Sequence, residues 1–331
     1  MSNKKIKVAI CGYGNLGKGV EKAVARNSDM ELVGIITRRP AVISKQTSAR
    51  VVSEDEAETL ANDVDVLIMC GGSATDLPVQ VPKFARCFNT VDSFDTHKKI
   101  PGYLKAVGES AKAGGKLAIC SNGWDPGLFS VIRSIIAAIF PEAAVAKIIY
   151  TFWGEGVSQG HSDAIRRIGG VKDARQYTIP IQEAVDRVRN GENPELTAGE
   201  KHTRLCYVVT EDGADPEEIK RQIVTMPNYF ADYDTTVEFI SEEELKANHS
   251  GLPHGGLVIA TVETSPGVKQ TIEFKLSLDS NPEFTGSVLT AYARAAYRMN
   301  QQGMSGAITP LHVPPIMLDP REEEDVIADL L

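Results

Sequence analysis

A glycine-rich turn near the beginning of the chain constrains its fold more than any other feature. An apolar run at Ile6–Cys11 leads into Gly12-Tyr13-Gly14-Asn15-Leu16-Gly17, and helical spacing of apolar residues follows over 15–26. In this strand–turn–helix order, the glycines allow a tight turn, a close approach of backbone to a pyrophosphate, and close helix–strand packing. The helix N terminus offers N–H groups and a positive dipole to phosphates. We therefore predict a dinucleotide site; the alternative is a glycine turn that serves structure alone.

The first third of the chain repeats this order of strand and helix. Further strands are expected at 31–36, 64–70 and 116–120, and helices at 75–86 and 97–113. Near-continuous apolar strands that alternate with helices predict a parallel sheet that is covered on both faces. The expected fold class is therefore α/β, with a doubly wound, Rossmann-type sheet whose ligands bind at the carboxyl ends of the strands.

The pattern changes after about residue 125. Strand-like runs at 147–153, 204–209, 258–262 and 270–278 are separated by long polar loops, which predicts an α+β domain with a mixed or antiparallel sheet. A long helix is expected at 282–302, and the acidic stretch 321–331 suits a short helix.

The length of the chain, 331 residues at about 150 residues per domain, is sufficient for two domains. We expect the dinucleotide-binding domain at 1–124 and the second domain at 125–302. The C-terminal segment 303–331 is expected to pack back on the first domain.

Composition argues against several classes of protein. The formal net charge of −9 at pH 7 disfavours nucleic acid and anionic membranes as partners. No stretch approaches the roughly 20 apolar residues of a membrane helix. The five cysteines form no close pair, and the six histidines show no spacing typical of metal ligands. We therefore expect no bound metal, and reduced thiols in the cytoplasm.

The end of the second expected strand bears on the choice between NAD and NADP. An NAD site has an acidic residue near this point, which binds the ribose hydroxyls. This sequence instead has Thr37, Arg38 and Arg39. Two guanidinium groups and a hydroxyl suit a 2′-phosphate, so we predict NADP as the cofactor. The alternative is a pair of solvated loop arginines.

A second run of small residues, Cys70-Gly71-Gly72-Ser73-Ala74-Thr75, ends a later strand and begins a helix. Small side chains there would let the backbone pass beside a cofactor, although helix packing alone could require them. Cys11, Cys70 and Cys120 each end an expected strand, and we interpret them as small buried apolar residues.

Two acidic residues follow strands at the same expected edge of the sheet. Asp95 lies in the segment 91–97, and Asp125 lies in Gly123-Trp124-Asp125-Pro126-Gly127. Each is well suited to cap a helix, and proline after Asp125 favours that role. A capping carboxylate uses one oxygen, however, and leaves the other for a cationic ligand.

Polar candidates continue into the second domain. The segment 151–163 interleaves glycines and polar residues with Trp153, which predicts an exposed functional loop. The other candidates are Thr178, Arg204, His254 and Asn281. Each has a structural alternative: a turn hydroxyl, a strand-edge charge, a hydrogen-bonded loop histidine and a helix cap, respectively. Composition and spacing do not choose between these interpretations.

Several of these segments resemble the family of meso-diaminopimelate D-dehydrogenases. The resemblance runs from Val8 to beyond Gly306, and its most specific stretches are 12–17, 72–76, 123–127, 151–154, 158–164, 226–230, 253–256 and 301–303. It implies reversible, NADP-dependent oxidative deamination of the D-centre of meso-2,6-diaminopimelate, in lysine biosynthesis. It also implies a cytoplasmic homodimer whose second domain supplies the substrate site and the dimer contacts. The remaining alternatives are a reductase of the homoserine dehydrogenase or dihydrodipicolinate reductase kind, and a non-catalytic NADP-binding sensor.

The resemblance implies a role for each candidate residue. Asp95 and Asp125, with Trp124, would bind the ammonium group of the D-centre, and one of these acids, His161 or a water would act as the base. Trp153, Gln159 and Gly160 would hold the nearby carboxylate. Thr178, Arg204 and His254 would hold the far carboxylate, and Asn281 the far amine. The expected cofactor contacts are Gly12, Tyr13, Gly14, Asn15, Leu16, Thr37, Arg38, Arg39, Cys70, Gly71, Gly72, Ser73, Thr75, Asp92, Ser93, Phe94, Ser121, Asn122 and Gly123.

Overall fold

A computed structural model describes residues 4–331, and these form two compact units. The first unit comprises the chain up to Val131 together with Pro282–Leu331. The second unit is Ile132–Asn281. Strands and helices are numbered below in chain order.

The first unit is built around a seven-stranded parallel sheet. Its strands are β1 (Ile6–Cys11), β2 (Met30–Ile36), β3 (Val51–Val52), β4 (Val66–Met69), β5 (Asn89–Asp92), β6 (Leu117–Ile119) and β14 (Gly306–Ile308). Its helices are α1 (Asn15–Ala25), α2 (Pro40–Ile43), α3 (Leu77–Phe84), α4 (Ile100–Ala113), α12 (Asn281–Gln301, from Pro282 on) and α13 (Glu323–Leu330). The order β14-β6-β5-β4-β1-β2-β3 confirms the doubly wound fold expected from the sequence.

The apolar runs of this sheet are continuous because both faces are buried. In β1, Val8 and Ile10 belong to one hydrophobic cluster, while Ala9 and Cys11 belong to a second cluster on the opposite face. Successive side chains of a strand point to opposite faces, so a strand with a core on each side is apolar at most of its positions.

The observed division of the chain differs from the expected one. Helix α12 was expected to belong to the second domain, yet it packs in the first unit. It buries Leu289 and Ala293 in the cluster that includes Val8. A Cβ atom on Gly286 would lie only 2.6 Å from the backbone of Gly19, so α1 and α12 approach very closely. The other boundary lies at Val131, within α5 (Leu128–Ile139), rather than after residue 124.

The second unit contains two sheets. The four-stranded sheet has β8 (Gly156–Val157), β9 (Val171–Pro180), β10 (His202–Thr210) and β11 (Thr235–Phe239) in the order β11-β10-β9-β8. It is mixed, because β10 pairs parallel with β11 and antiparallel with β9. The three-stranded sheet β13-β12-β7 is antiparallel and has β7 (Tyr150–Trp153), β12 (His254–Ser265) and β13 (Val268–Leu278). The sequence-based expectation of an α+β unit is confirmed.

The helices of the second unit are mostly short. They are α6 (Pro141–Val145), α7 (Gln159–Arg166), α8 (Gln182–Arg189), α9 (Ala198–Lys201), α10 (Pro216–Val224) and α11 (Glu242–Asn248), together with the later part of α5. Within residues 4–331, no helix combines the length and the apolar character that crossing a membrane requires.

Candidate active-site residues

The three glycines of the motif in the first unit differ in the space that surrounds them. Gly12 adopts φ +94°, and a Cβ there would lie 3.1 Å from the carbonyl of Cys70. A Cβ on Gly17 would lie 2.2 Å from the carbonyl oxygen of Gly12, so the helix packs tightly on the turn. A Cβ on Gly14 would meet nothing within 4 Å. No neighbouring atom among the described residues therefore requires glycine at this position, but close approach of a pyrophosphate to the backbone would require it.

The N terminus of α1 suits an anion. Its N-cap is Gly14, no side chain among the described residues caps it, and no acidic residue lies in its first turn. The N–H groups of this first turn therefore remain available to phosphate oxygens. The phenol of Tyr13 donates instead to Glu21, and burial together with this bond raises the pKa of Tyr13 to about 12.

The residues after β2 lie where a discriminating contact to the ribose is expected. Thr37 is buried, and its hydroxyl accepts a hydrogen bond from the backbone N–H of Arg39. The Arg38 guanidinium lies 3.2 Å from a carboxylate oxygen of Asp76 and 3.8 Å from Glu54. Arg38 is thus partly engaged by acids, and a 2′-phosphate would compete with them.

The two candidate acids lie at different distances from the helices that follow them. The 3₁₀ turn after Asp95 has Thr96 at its N-cap, and α4 begins only at Ile100. Helix α5 begins at Leu128, so Asp125 precedes it by a full turn. The capping interpretation is therefore wrong for Asp95, because Thr96 occupies the N-cap. The backbone N–H of Asp95 donates instead to Ser73 Oγ, at 2.9 Å.

Asp92 and Asn122 connect the segments that carry the two acids. The Asp92 side chain is fully buried and accepts hydrogen bonds from the backbone N–H groups of Phe94 and Ser121. Both the backbone N–H and the side-chain amide of Asn122 donate to the Asp92 carbonyl. These protein contacts occupy the Asp92 side chain, which was expected among the cofactor contacts.

Trp124 belongs to the buried part of the first unit. Its ring packs edge-to-face on Phe129, with 5.3 Å between centroids. Its carbonyl accepts the N–H of Phe129, and Gly127 adopts φ +131° with no room for a Cβ against Gly123. The compact turn 123–127 therefore gives Asp125 a defined place.

A buried arginine dominates the candidate site of the second unit. Arg204 on β10 is only 6% exposed, and it pairs across the antiparallel ladder with Thr178 on β9. Its Nη1 donates to Thr178 Oγ1, and its guanidinium lies 4.0 Å above the ring of Tyr233. No carboxylate among residues 4–331 lies within ion-pair distance of Arg204, and its buried Nε has no partner there. The alternatives of a turn hydroxyl for Thr178 and a strand-edge charge for Arg204 are both wrong.

Three imidazoles lie within the electrostatic reach of Arg204. Burial, reinforced by this guanidinium, lowers the pKa of His161 to about 4 and that of His202 to about 3. Burial is also the main factor that lowers the pKa of His254. These histidines are neutral at pH 7, and no carboxylate among the described residues pairs with the positive charge of Arg204. A site of this kind attracts a carboxylate.

Trp153 is held by His202, which no sequence motif singles out as a candidate site residue. The backbone N–H of Trp153 donates to His202 Nε2 at 2.7 Å, and the two rings are stacked at 5.4 Å. His202 and Arg204 lie two residues apart on one face of β10, and this alternation is the signal that could have identified His202. Tyr233 comes from a turn and carries no comparable local signal.

The remaining candidates lie around the same strands. Gln159 and Gly160 are exposed and form the first turn of α7, which Ser158 caps. His254 begins β12, and its Nδ1 accepts the N–H of Gly255. The backbone N–H of Asn281 donates to Leu252, close in sequence to His254.

The doubly wound sheet, its glycine turn and the acids at its carboxyl edge define a nicotinamide-nucleotide-dependent oxidoreductase. Comparison with known proteins specifies the family. Residues 123–280 match the family model for the diaminopimelic acid dehydrogenase C-terminal domain. The meso-diaminopimelate D-dehydrogenase of Ureibacillus thermosphaericus is 58% identical over 328 residues, which is 99% of each chain. This chain therefore belongs to the meso-diaminopimelate D-dehydrogenase family.

Solved structures agree with this assignment. The structure described as Corynebacterium glutamicum DAP dehydrogenase in complex with DAP is 47% identical and has a TM-score of 0.91, with 100% of both chains covered. An engineered D-amino acid dehydrogenase bound to NADP⁺ is 45% identical, with a TM-score of 0.86 over 99% of this chain and 100% of that chain. Membership of this family identifies the chain as an amino-acid dehydrogenase and excludes the reductase and sensor alternatives.

Proposed function

We propose that this chain catalyses the NADP-dependent oxidative deamination of the D-centre of meso-2,6-diaminopimelate. The products are L-2-amino-6-oxopimelate, which cyclises to tetrahydrodipicolinate, and ammonia; the reaction is reversible and serves lysine biosynthesis. The observation that carries the proposal is Arg204, a buried cation with a hydroxyl neighbour and no acidic partner among the described residues. A substrate with a carboxylate remote from its reacting carbon supplies the missing charge.

The residues of the first unit fit NADP. The open space at Gly14 and the uncapped start of α1 suit the pyrophosphate, and Thr37, Arg38 and Arg39 suit the 2′-phosphate. When bound, the nicotinamide of NADP accepts the hydride of the D-centre. The other expected cofactor contacts, at 70–75, 92–94 and 121–123, follow strands β4, β5 and β6 at the ligand-binding edge.

Asp95 and Asp125 bind the amino group of the D-centre in this proposal. An ammonium group cannot expel hydride until it loses a proton, and a carboxylate of this pair takes that proton. The Cα–H bond then breaks with its electron pair, the C–N bond becomes an iminium, and water adds as ammonia leaves. His161 is a poorer base, because burial, reinforced by the charge of Arg204, opposes its protonation.

The second unit binds the carboxylates. Arg204, Thr178 and His254 hold the far carboxylate, and Asn281 binds the far amine. Trp153, Gln159 and Gly160 hold the carboxylate of the D-centre; the first two N–H groups of α7 belong to Gln159 and Gly160 and suit an anion. Binding the far end in one orientation presents only one α-hydrogen for transfer, which accounts for selectivity at the D-centre.

A substrate panel tests this function directly. NADPH formation at alkaline pH is followed with the three diaminopimelate stereoisomers, D-alanine, D-lysine and homoserine. We expect turnover with the meso isomer to exceed the others by at least about 100-fold, because each lost charge-assisted contact costs about 1.5–3 kcal/mol. Equal rates with homoserine or D-alanine would contradict the proposal. Asp125→Asn should abolish most turnover while NADP still binds.

We also propose that the protein is a cytoplasmic homodimer without a nucleic-acid partner. All five cysteines are free thiols, as in a reducing compartment, and the net charge is −9. Strand β13 is eleven residues long and lies at the edge of its sheet, which supports dimer contacts through the second unit. Sedimentation velocity should give twice the mass of the chain; a monomer at micromolar concentration would contradict the dimer.

A further inference from the structure

One buried carboxylate of the first unit has no part in the proton and hydride transfers proposed for the reaction. Asp92 ends β5 and is completely buried. Its Oδ1 accepts the backbone N–H of Phe94 at 2.9 Å and that of Ser121 at 3.0 Å, and its Oδ2 accepts the phenol of Tyr103 at 3.0 Å. Burial raises the pKa of Asp92, and these three donors oppose that effect. The side chain is therefore held by protein donors on both of its oxygen atoms.

The groups bound to Asp92 belong to the two segments that carry the active-site acids. Phe94 directly precedes Asp95 in the chain. Ser121 begins the segment that leads to Asp125, and it adopts φ +62°, a conformation that costs energy for any residue except glycine. A single oxygen atom therefore fixes the backbone at the start of both segments.

The ring of Tyr103 strengthens this arrangement. It stacks on Phe94 with 4.1 Å between centroids, so it holds the segment before Asp95 from the side while its hydroxyl binds Asp92. Ser73 completes the arrangement, because its Oγ accepts the backbone N–H of Asp95 itself.

We propose that Asp92 is a positioning residue that sets the placement of the Asp95 and Asp125 carboxylates relative to each other, with Tyr103 as its support. The proposal deepens the proposed function, on which it rests for the claim that these acids bind one amino group. Reacting groups displaced by about 1 Å lose roughly 100-fold in rate, so loss of the shared acceptor should affect turnover far more than cofactor binding.

Two substitutions at Asp92 separate positioning from charge. Asp92→Ala removes the acceptor of both N–H groups. Asp92→Asn keeps an oxygen that accepts them, removes the charge, and replaces Oδ2, the acceptor of the Tyr103 phenol, with an amide NH2 group. Asn89 provides the matched control, since it lies on the same strand and its Oδ1 accepts the N–H of Leu117 at 2.9 Å. Asn89→Ala breaks an equivalent buried bond between β5 and β6 at the opposite end of the strand.

The assay measures kcat and KM for meso-diaminopimelate, the Kd of NADP and the melting temperature of each variant. We expect Asp92→Ala to lower kcat about 100-fold while the Kd of NADP stays within about threefold of the wild-type value. The kcat of Asp92→Asn should stay within about fivefold of the wild-type value. Asn89→Ala should lower the melting temperature without changing kcat or the Kd of NADP. The proposal is overturned if Asp92→Ala and Asn89→Ala lose the same factor in kcat, or if both Asp92 variants lose equally.

A crystal structure of each variant with NADP decides the matter independently of the substrate. The Asp95-to-Asp125 separation should change in Asp92→Ala and stay the same in Asp92→Asn and Asn89→Ala. An unchanged separation in Asp92→Ala refutes the positioning role. If the wild type does not turn over meso-diaminopimelate, the proposed function fails while this structural result still stands.

Discussion

His202 should make the second unit sensitive to acid. Its imidazole is 1% exposed, its Nε2 accepts the N–H of Trp153, and its pKa is lowered to about 3 by burial and by Arg204. In the unfolded chain the pKa of a histidine is about 6.5. Between these values the unfolded chain binds more protons than the folded protein, so stability falls as pH decreases from about 6.5 toward 3.

The size of the effect follows from the two pKa values. At pH 4.5 an unfolded histidine is almost fully protonated while His202 remains neutral, and the difference amounts to about 3 kcal/mol of unfolding free energy. Protonation would also remove the acceptor for Trp153. Acid should therefore destabilise the strand that carries Arg204.

The assay compares urea unfolding of the wild type and His202→Gln at pH 7 and pH 4.5. Glutamine keeps an acceptor near the Nε2 position and does not titrate, so the wild type should lose about 3 kcal/mol more than the variant between the two pH values. Other titrating groups contribute equally to both proteins and cancel. His97→Gln, at an exposed histidine, controls for the exchange itself. Equal losses in wild type and His202→Gln would refute the reasoning.

Four further predictions concern the two binding regions. Gly14→Asp should leave the melting temperature unchanged and sharply weaken NADP binding, because aspartate caps α1 well but repels phosphate, with Gly14→Asn as the uncharged control; retained NADP affinity would contradict the site. Gly17→Ala should instead cost about 2 kcal/mol of unfolding free energy, since its Cβ would overlap Gly12, and a neutral effect in denaturant titrations would contradict that contact. Replacing Arg38 and Arg39 by serine should raise the KM for NADP about 100-fold and leave that for NAD unchanged; an unaltered NADP preference would be decisive against their role. Arg204→Met should raise the KM for meso-diaminopimelate about 10–100-fold at constant Kd for NADP, whereas Arg204→Lys should lose less, and equal KM values would exclude the carboxylate contact.

The dinucleotide motif of the first unit could be predicted from the local sequence. The strand Ile6–Cys11, the three glycines and the helix from Asn15 are contiguous, and Gly12 and Gly17 meet steric conditions imposed by residues nearby in the fold. The class of the second unit was also predictable from its strand-like runs. The boundary at Pro282 was not, because the burial of α12 depends on a close contact with α1, which is far away in sequence.

What the sequence by itself determined is the doubly wound fold, the dinucleotide motif and the family, because these depend on spacing within short segments. Only the tertiary structure decided which polar residues are buried and what they contact. Arg204 reads as a strand-edge charge until antiparallel pairing places it inside the sheet beside Thr178 and above Tyr233. Asp92 and His202 likewise acquire their partners through long-range packing, and burial, which no local pattern encodes, gives those contacts their energy.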